Sequence, residues 1–190
     1  MRQGDWIETY TGIKFWPLDP LPHEVSLNDI AHALAMLCRA NGHCTSFYSV
    51  AQHSLNVSKE LAFLGYSQRL QLMGLLHDAS EAYLSDITRP VKKYLPQYIE
   101  IEHKLQTTIF HAFSLFPTAE ELEIVSQIDN ALLAHEVRTL MKNINEWAMP
   151  VELHDVDLAS KPIADVKEEF LSLGYKLITQ LSASPRNHTE

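Results

Sequence analysis

Four side chains of the metal-binding kind, His53, His77, Asp78 and Asp129, each fall in a segment whose apolar spacing is helical. No other feature limits the fold as much. A polar group buried on a helix face is costly unless something satisfies it. One divalent ion would satisfy all four, because imidazole nitrogen and carboxylate oxygen suit first-row divalent metals. The segments that carry them must then converge on one point. His77 and Asp78 close the apolar run QLMGLLHD; His53 lies 24 residues before His77 and Asp129 lies 51 residues after Asp78. Adjacent helical residues point about 100° apart, so an ion at the helix margin is within reach of both members of the doublet.

The rest of the pattern predicts an all-α chain. A helix over 26–39 places Leu27, Ile30, Ala31, Leu34, Leu37 and Cys38 on one face, and Asn41-Gly42 ends it. Ser49 and Gln52 form a capping box, and Val50, His53, Val57, Leu61 and Leu64 share the inward stripe of a second helix closed by Gly65. A third helix is predicted over 67–82, a loop with Asp86 and Pro90 next, and a fourth helix over 96–113. Thr118 and Glu121 form another capping box for a fifth helix reaching about residue 141, with Leu122, Val125, Ile128, Leu132 and His135 facing inward. Residues 143–161, with Trp147 and Pro150, read as irregular; Pro162 fits the first turn of a last helix ending near Leu181. In the N-terminal arm, TGIKFWPL is compatible with a short strand or hairpin.

At 190 residues the chain has the size of one domain, expected over 1–181 with the arm 1–25 packed on it and a disordered tail at 182–190. Two cysteines, Cys38 and Cys44, form no CxxC motif and predict a reducing, cytoplasmic setting. No apolar leader core or membrane-length run is present, so no membrane partner is expected. A net charge of −9 argues against long nucleic acid. One small phosphate ester remains compatible, since a bound metal and a few local cations can hold it.

Around the four candidate ligands stands a second tier. Glu81 follows His77 by four residues and Asp78 by three, on the same helix face, and Asp86 comes soon after. Two carboxylates beside a metal supply a general base and a partner that orients water or a leaving group. Arg39, Arg89, Lys92 and Lys93 are candidate anion clamps, Arg39 foremost because its planar fork matches phosphate oxygens. Plainer readings stand beside these. His53 also reads as a hydrogen-bonded core histidine, Asp129 as the wet edge of its helix, Glu81 and Asp86 as an acidic helix end, and the lysines as a solvated face. Trp6, Phe15 and Trp16 offer faces that stack on a base or simply fill the core.

With these residues in place, the chain resembles the HD-domain metal-dependent phosphohydrolases, whose H…HD…D signature matches His53, His77-Asp78 and Asp129. The block HDASEAYLSDITRPVK over 77–92 is similar to the subgroup of bacterial 5′-deoxynucleotidases, with their HDxSE…D…P-x-K motif, and of phage dATP triphosphohydrolases. The likeness covers roughly residues 26–141. It implies a compact helical bundle assembled into a homo-oligomer, a dimer or larger. It also implies one divalent ion (Mn, Co, Zn or Mg) bound by His53, His77, Asp78 and Asp129. Arg39 takes the place of a phosphate-binding arginine, Glu81 and Asp86 that of the acidic pair, and Lys92 and Trp16 join Arg39 as substrate contacts. The implied reaction is attack of metal-activated water on the α-phosphorus of a deoxynucleotide. A dNTP would give deoxynucleoside and triphosphate, and a dNMP deoxynucleoside and phosphate. The chain departs from the nucleotidases at Ala40, where they carry Trp. Cyclic-nucleotide or guanosine-polyphosphate hydrolysis, and a non-enzymatic metal-containing protein, are the alternatives.

Overall fold

A computed structural model describes residues 2–142 and 152–183. Within them the elements run β1 (Ile7–Glu8), β2 (Lys14–Phe15), α1 (Leu27–Met36), α2 (Val50–Phe63), α3 (Gln68–Leu76), α4 (Glu81–Leu84), α5 (Arg89–Lys92), α6 (Pro96–Ala112), α7 (Ala119–Leu140) and α8 (Ile163–Ala183). The expected all-α bundle with an N-terminal hairpin is what the chain forms. The two strands pair antiparallel, Ile7 opposite Phe15 and Glu8 opposite Lys14. The last helix runs on through Ala183, two residues into the predicted tail; 184–190, Trp147 and Pro150 lie outside the described residues. No helix among the described residues is long and apolar enough to cross a membrane.

Both capping boxes form as predicted, Ser49 with Gln52 and Thr118 with Glu121. Each satisfies backbone donors that a helix start leaves open. The bundle is built around α2, which contacts α3, α7, α1 and α8. The single inward stripe predicted for α2 is too narrow, and Leu64, placed on it, is exposed. The helix is buried almost all round, polar residues included: Gln52, His53, Ser54, Asn56, Ser58 and Glu60. Segment 154–159 covers its other side. Gln52 Nε2 donates to the Ala159 carbonyl, Asn56 exchanges bonds with the Asp157 backbone, and Glu60 accepts from the His154 and Asp155 backbone. These residues recur every fourth position and so line one face. On the neighbouring face, Gly74 lets α3 approach closely; a Cβ there would stand 2.5 Å from Leu61 Cδ1.

Two predicted helix ends are corrected. Helix α1 stops at Met36, three residues before Arg39. The backbone of 37–39 pairs instead with 48–50: Val50 N–H donates to the Leu37 carbonyl and Arg39 N–H to the Tyr48 carbonyl, both at 2.9 Å. Ala40, Asn41 and Gly42 then turn left-handed, at φ 50°, 52° and 79°. Helix α3 stops at Leu76, so His77 is its C-cap and Asp78 lies in a turn rather than mid-helix. Past Leu76 the bonds shorten to three-residue spacing, Ala79 to Leu76 and Glu81 to Asp78. Gln106 of α6 holds the break open, donating to the Leu76 carbonyl at 2.7 Å and accepting from Ser80 N–H at 3.0 Å. The loop predicted around Pro90 contains the one-turn α5.

The arm packs on this frame through Phe15, fully buried and stacked on Tyr83 of α4 with ring centroids 4.0 Å apart. Thr11 at the hairpin turn binds the Asp29 carboxylate through both N–H and hydroxyl.

Candidate metal centre

Helix α2 brings His53, the end of α3 brings His77, and α7 brings Asp129 to one point, where one ligand atom from each lies within 4.8 Å of the others. His53 Nε2 stands 3.0 Å from Asp129 Oδ1 and 3.3 Å from His77 Nε2. Asp78 Oδ2 flanks the group, 3.2 Å from His77 Nε2 and 3.8 Å from His53 Nε2. This cluster of two imidazoles and a carboxylate can chelate a metal ion.

The ring orientations favour a cation. His77 Nδ1 is 2.8 Å from the Gly74 carbonyl, which only accepts, so that nitrogen carries the proton. His53 Nδ1 is 2.7 Å from Glu136 Oε1 and donates to it. Each neutral ring therefore turns a lone pair on Nε2 toward the other and toward two carboxylates. Four acceptors facing one another need a positive charge between them. Burial works against a charged His77, but Asp78 and the hydrogen bond to Asp129 outweigh it and raise its pKa. Burial and Arg39 oppose charge on His53, and Glu136 and Asp129 outweigh them. Burial likewise opposes ionisation of Asp129 and Asp78, yet the adjacent histidines hold both below the usual carboxylate range. The donor set and the tautomers both fit a first-row divalent ion.

A cavity of about 890 Å³ opens beside the cluster. Among its lining residues are the predicted Arg39, Asp78, Glu81, Asp86, Lys92 and Asp129. Arg39 reaches it from the left-handed turn, with Nη1 3.3 Å from Asp78 Oδ2 and Nη2 3.5 Å from Glu136 Oε2. Glu81, in the first turn of α4, is 5% exposed, and its Oε2 has no hydrogen-bond partner among the described residues. Burial, with the charges of Asp78 and Asp86, lifts its pKa well above the ordinary carboxylate range. Lys92 lies on the rim, paired to Glu102 at 2.6 Å. Arg89 binds the outer oxygen of Asp129 at 2.9 Å.

Trp16 is not among the lining residues. It lies in the arm with the Arg2 guanidinium 4.1 Å above its ring, and Arg2 is tied to Glu24 and the Asp19 carbonyl. Arg2 thus covers one face of its ring, and the structure does not bring Trp16 to the cavity with the other predicted residues.

Glu136 escaped the sequence reading, which looked at His135 instead. The signal was present: Glu136 follows Asp129 by seven residues, or two helical turns, so both share one face of α7. Tyr48 was also missed. It sits outside any helix, and only the pairing of 37–39 with 48–50 brings it under Glu136.

No protein-family model matches the chain. Over 135 residues it is 36% identical to the "Uncharacterized protein YfdR" of Escherichia coli K12, covering 71% of this chain and 72% of that protein. It is also 29% identical to the "Uncharacterized protein RCAP_rcc00048" of Rhodobacter capsulatus, over 93% of this chain and 97% of that protein.

Proposed function

This chain belongs to the family of Escherichia coli YfdR, and from its site we propose that it is a metal-dependent phosphohydrolase of the HD-domain type acting on deoxynucleotides. The observation that carries the proposal is the pair of Nε2 atoms 3.3 Å apart, turned toward two carboxylates at the wall of a cavity whose lining includes Arg39, Arg89, Lys92 and Lys93. A volume of about 890 Å³ suits a small molecule of nucleotide size, within the roughly 300–1,000 Å³ of typical ligand pockets.

His53, His77, Asp78 and Asp129 would hold the ion, which when bound supplies Lewis acidity to a phosphoryl oxygen and acidifies nearby water. Arg39 presents its guanidinium to the phosphoryl oxygens and offsets the charge that grows on them. Glu81 holds or moves a proton at Oε2, the buried oxygen without a partner among the described residues. Asp86 lines the same cavity and is the second proton-handling group. Lys93 and Lys142 also line it, and neither forms an ion pair among the described residues, so both are available to further phosphates. That supply of charge favours cleavage of a triphosphate at least as much as of a monophosphate. The apolar wall of Ile87, Leu133, Val137 and Leu140 suits a base or sugar. The homo-oligomer implied by the resemblance belongs to the same proposal.

The test is release of phosphate or triphosphate from dNMPs, dNTPs, NMPs, cyclic nucleotides and guanosine polyphosphates with Mn, Co, Zn or Mg. Turnover confined to deoxynucleotides supports the proposal. Equal turnover of ribonucleotides refutes its substrate, and no turnover in metal-loaded protein refutes its chemistry.

A further inference from the structure

Asp78 and Asp129 face the Nε2 atoms of the two histidines, whereas Glu136 lies on the Nδ1 side of His53, and its burial needs its own explanation. A carboxylate with 5% exposure is costly to bury unless donors surround it. Glu136 has three. His53 Nδ1–H donates to Oε1 at 2.7 Å. Arg39 Nη2 lies 3.5 Å from Oε2. The third is the Tyr48 hydroxyl, which helps hold the Glu136 pKa below the usual carboxylate range, after His53 and Arg39. Tyr48 is fully buried and its oxygen accepts from Asn56 Nδ2 at 2.9 Å, which leaves its own proton to turn toward Glu136. Asn56 is fixed in turn by Asp157, donating to its carbonyl at 2.9 Å and accepting from its N–H at 3.3 Å. Asn56 thus ties Tyr48 to segment 154–159.

Two elements of different use meet on this one carboxylate. One oxygen sets which nitrogen of His53 keeps its proton, and therefore that Nε2 faces Asp129 and His77. The other holds one arm of the Arg39 fork, whose second arm lies at Asp78. Arg39 precedes the left-handed turn, its N–H held by the Tyr48 carbonyl, and its guanidinium spans these two carboxylates.

We propose that Glu136 is a positioning residue that orients the metal ligand His53 and the anion-binding fork of Arg39 together, with Tyr48 and Asn56 holding Glu136 in place. This rests on the reading of His53, His77 and Asp129 as a metal site. A carboxylate that merely neutralised Arg39 within the fold would affect stability and leave metal affinity per folded molecule unchanged. A carboxylate that orients a ligand histidine affects affinity, typically by about 10–100-fold.

The experiment is a Co²⁺ titration of metal-free protein, followed by visible absorption, on the parent, Glu136→Gln, Tyr48→Phe and Glu60→Gln. Glu60 is an internal control: a buried glutamate on α2 bonded to a histidine, His154, with no place in the site. Glu136→Gln should weaken Co²⁺ about 10–100-fold and alter the absorption band. Tyr48→Phe should act in the same direction but less. Glu60→Gln should lower the unfolding midpoint and leave Co²⁺ affinity at the parent's value. Parental affinity in folded Glu136→Gln overturns the proposal. If that variant does not fold, parental affinity in Tyr48→Phe overturns it. Absence of Co²⁺ binding by the parent overturns the metal reading and the proposal with it, an outcome distinct from the other two.

Discussion

The Tyr98 hydroxyl donates to the Ser85 carbonyl at 2.8 Å and clamps a backbone that serine rarely adopts, with φ 72° and ψ 156°. That region is essentially open only to glycine, and a residue held there stores about 1–3 kcal/mol. The next residue is Asp86, on the cavity wall. Ser85→Gly should relieve the strain and raise the denaturation midpoint, net of the ~0.5–1 kcal/mol entropic cost of glycine. It should also slow turnover, because Asp86 is held less firmly. An unchanged or lower midpoint shows that the backbone is unstrained.

Loss of His77 and Asp78 together should abolish metal retention, which elemental analysis of His77→Ala/Asp78→Ala reads directly; full occupancy contradicts the site. In the parent, affinity should rise with pH. The metal-free imidazoles have raised pKa values and an ion requires them neutral, so protons compete as pH falls through those values. Calorimetry in buffers of different ionisation enthalpy should register proton release on binding. A pH-independent affinity speaks against this competition.

Glu81→Gln should keep the metal and the fold and lose turnover by about 10²–10⁴-fold. Its stability should stay near the parent's, because Oε2 is buried without a partner among the described residues and an amide of the same shape takes its place. A kcat within twofold of the parent removes Glu81 from the proton-handling role.

Arg39→Lys keeps the charge and loses the fork that spans Asp78 and Glu136. An ammonium cannot hold both carboxylates in that geometry, so kcat/KM should fall well below the parent's. An unchanged kcat/KM shows that charge alone suffices.

The Glu60 carboxylate should make the fold acid-sensitive. Burial opposes its ionisation, and the bonds from the His154 side chain and the His154 and Asp155 backbone outweigh that and lower its pKa. The folded pKa lies below the unfolded value of about 4.3. The contribution is therefore complete above that value and is lost as pH falls through the folded pKa. Between pH 3 and 6, the parent's midpoint should fall more steeply with acid than that of Glu60→Gln. Parallel curves contradict this.

By itself the sequence determined the helices that begin at Ser49 and Thr118 and the inward placing of His53 on the first of them. A capping box closes within three residues and an apolar stripe repeats every turn, so neighbours in the chain decide both. The same logic placed Glu81 and Asp86 near His77 and Asp78, since only a few residues separate them. Distant residues decided the rest. Helix α3 ends at Leu76 because Gln106 of α6 takes the freed backbone groups, and residues 37–39 leave the helix because 48–50 offer a better pairing. The second buried face of α2 exists only when segment 154–159 lies across Gln52, Asn56 and Glu60. Glu136 is an orienting carboxylate only once α7 packs on α2 and sets it against His53 and Arg39. Local hydrogen bonding and periodicity depend on adjacent residues. Satisfaction of a buried polar group depends on whichever partner the packing delivers, and here the partners came from other helices and from a segment far along the chain.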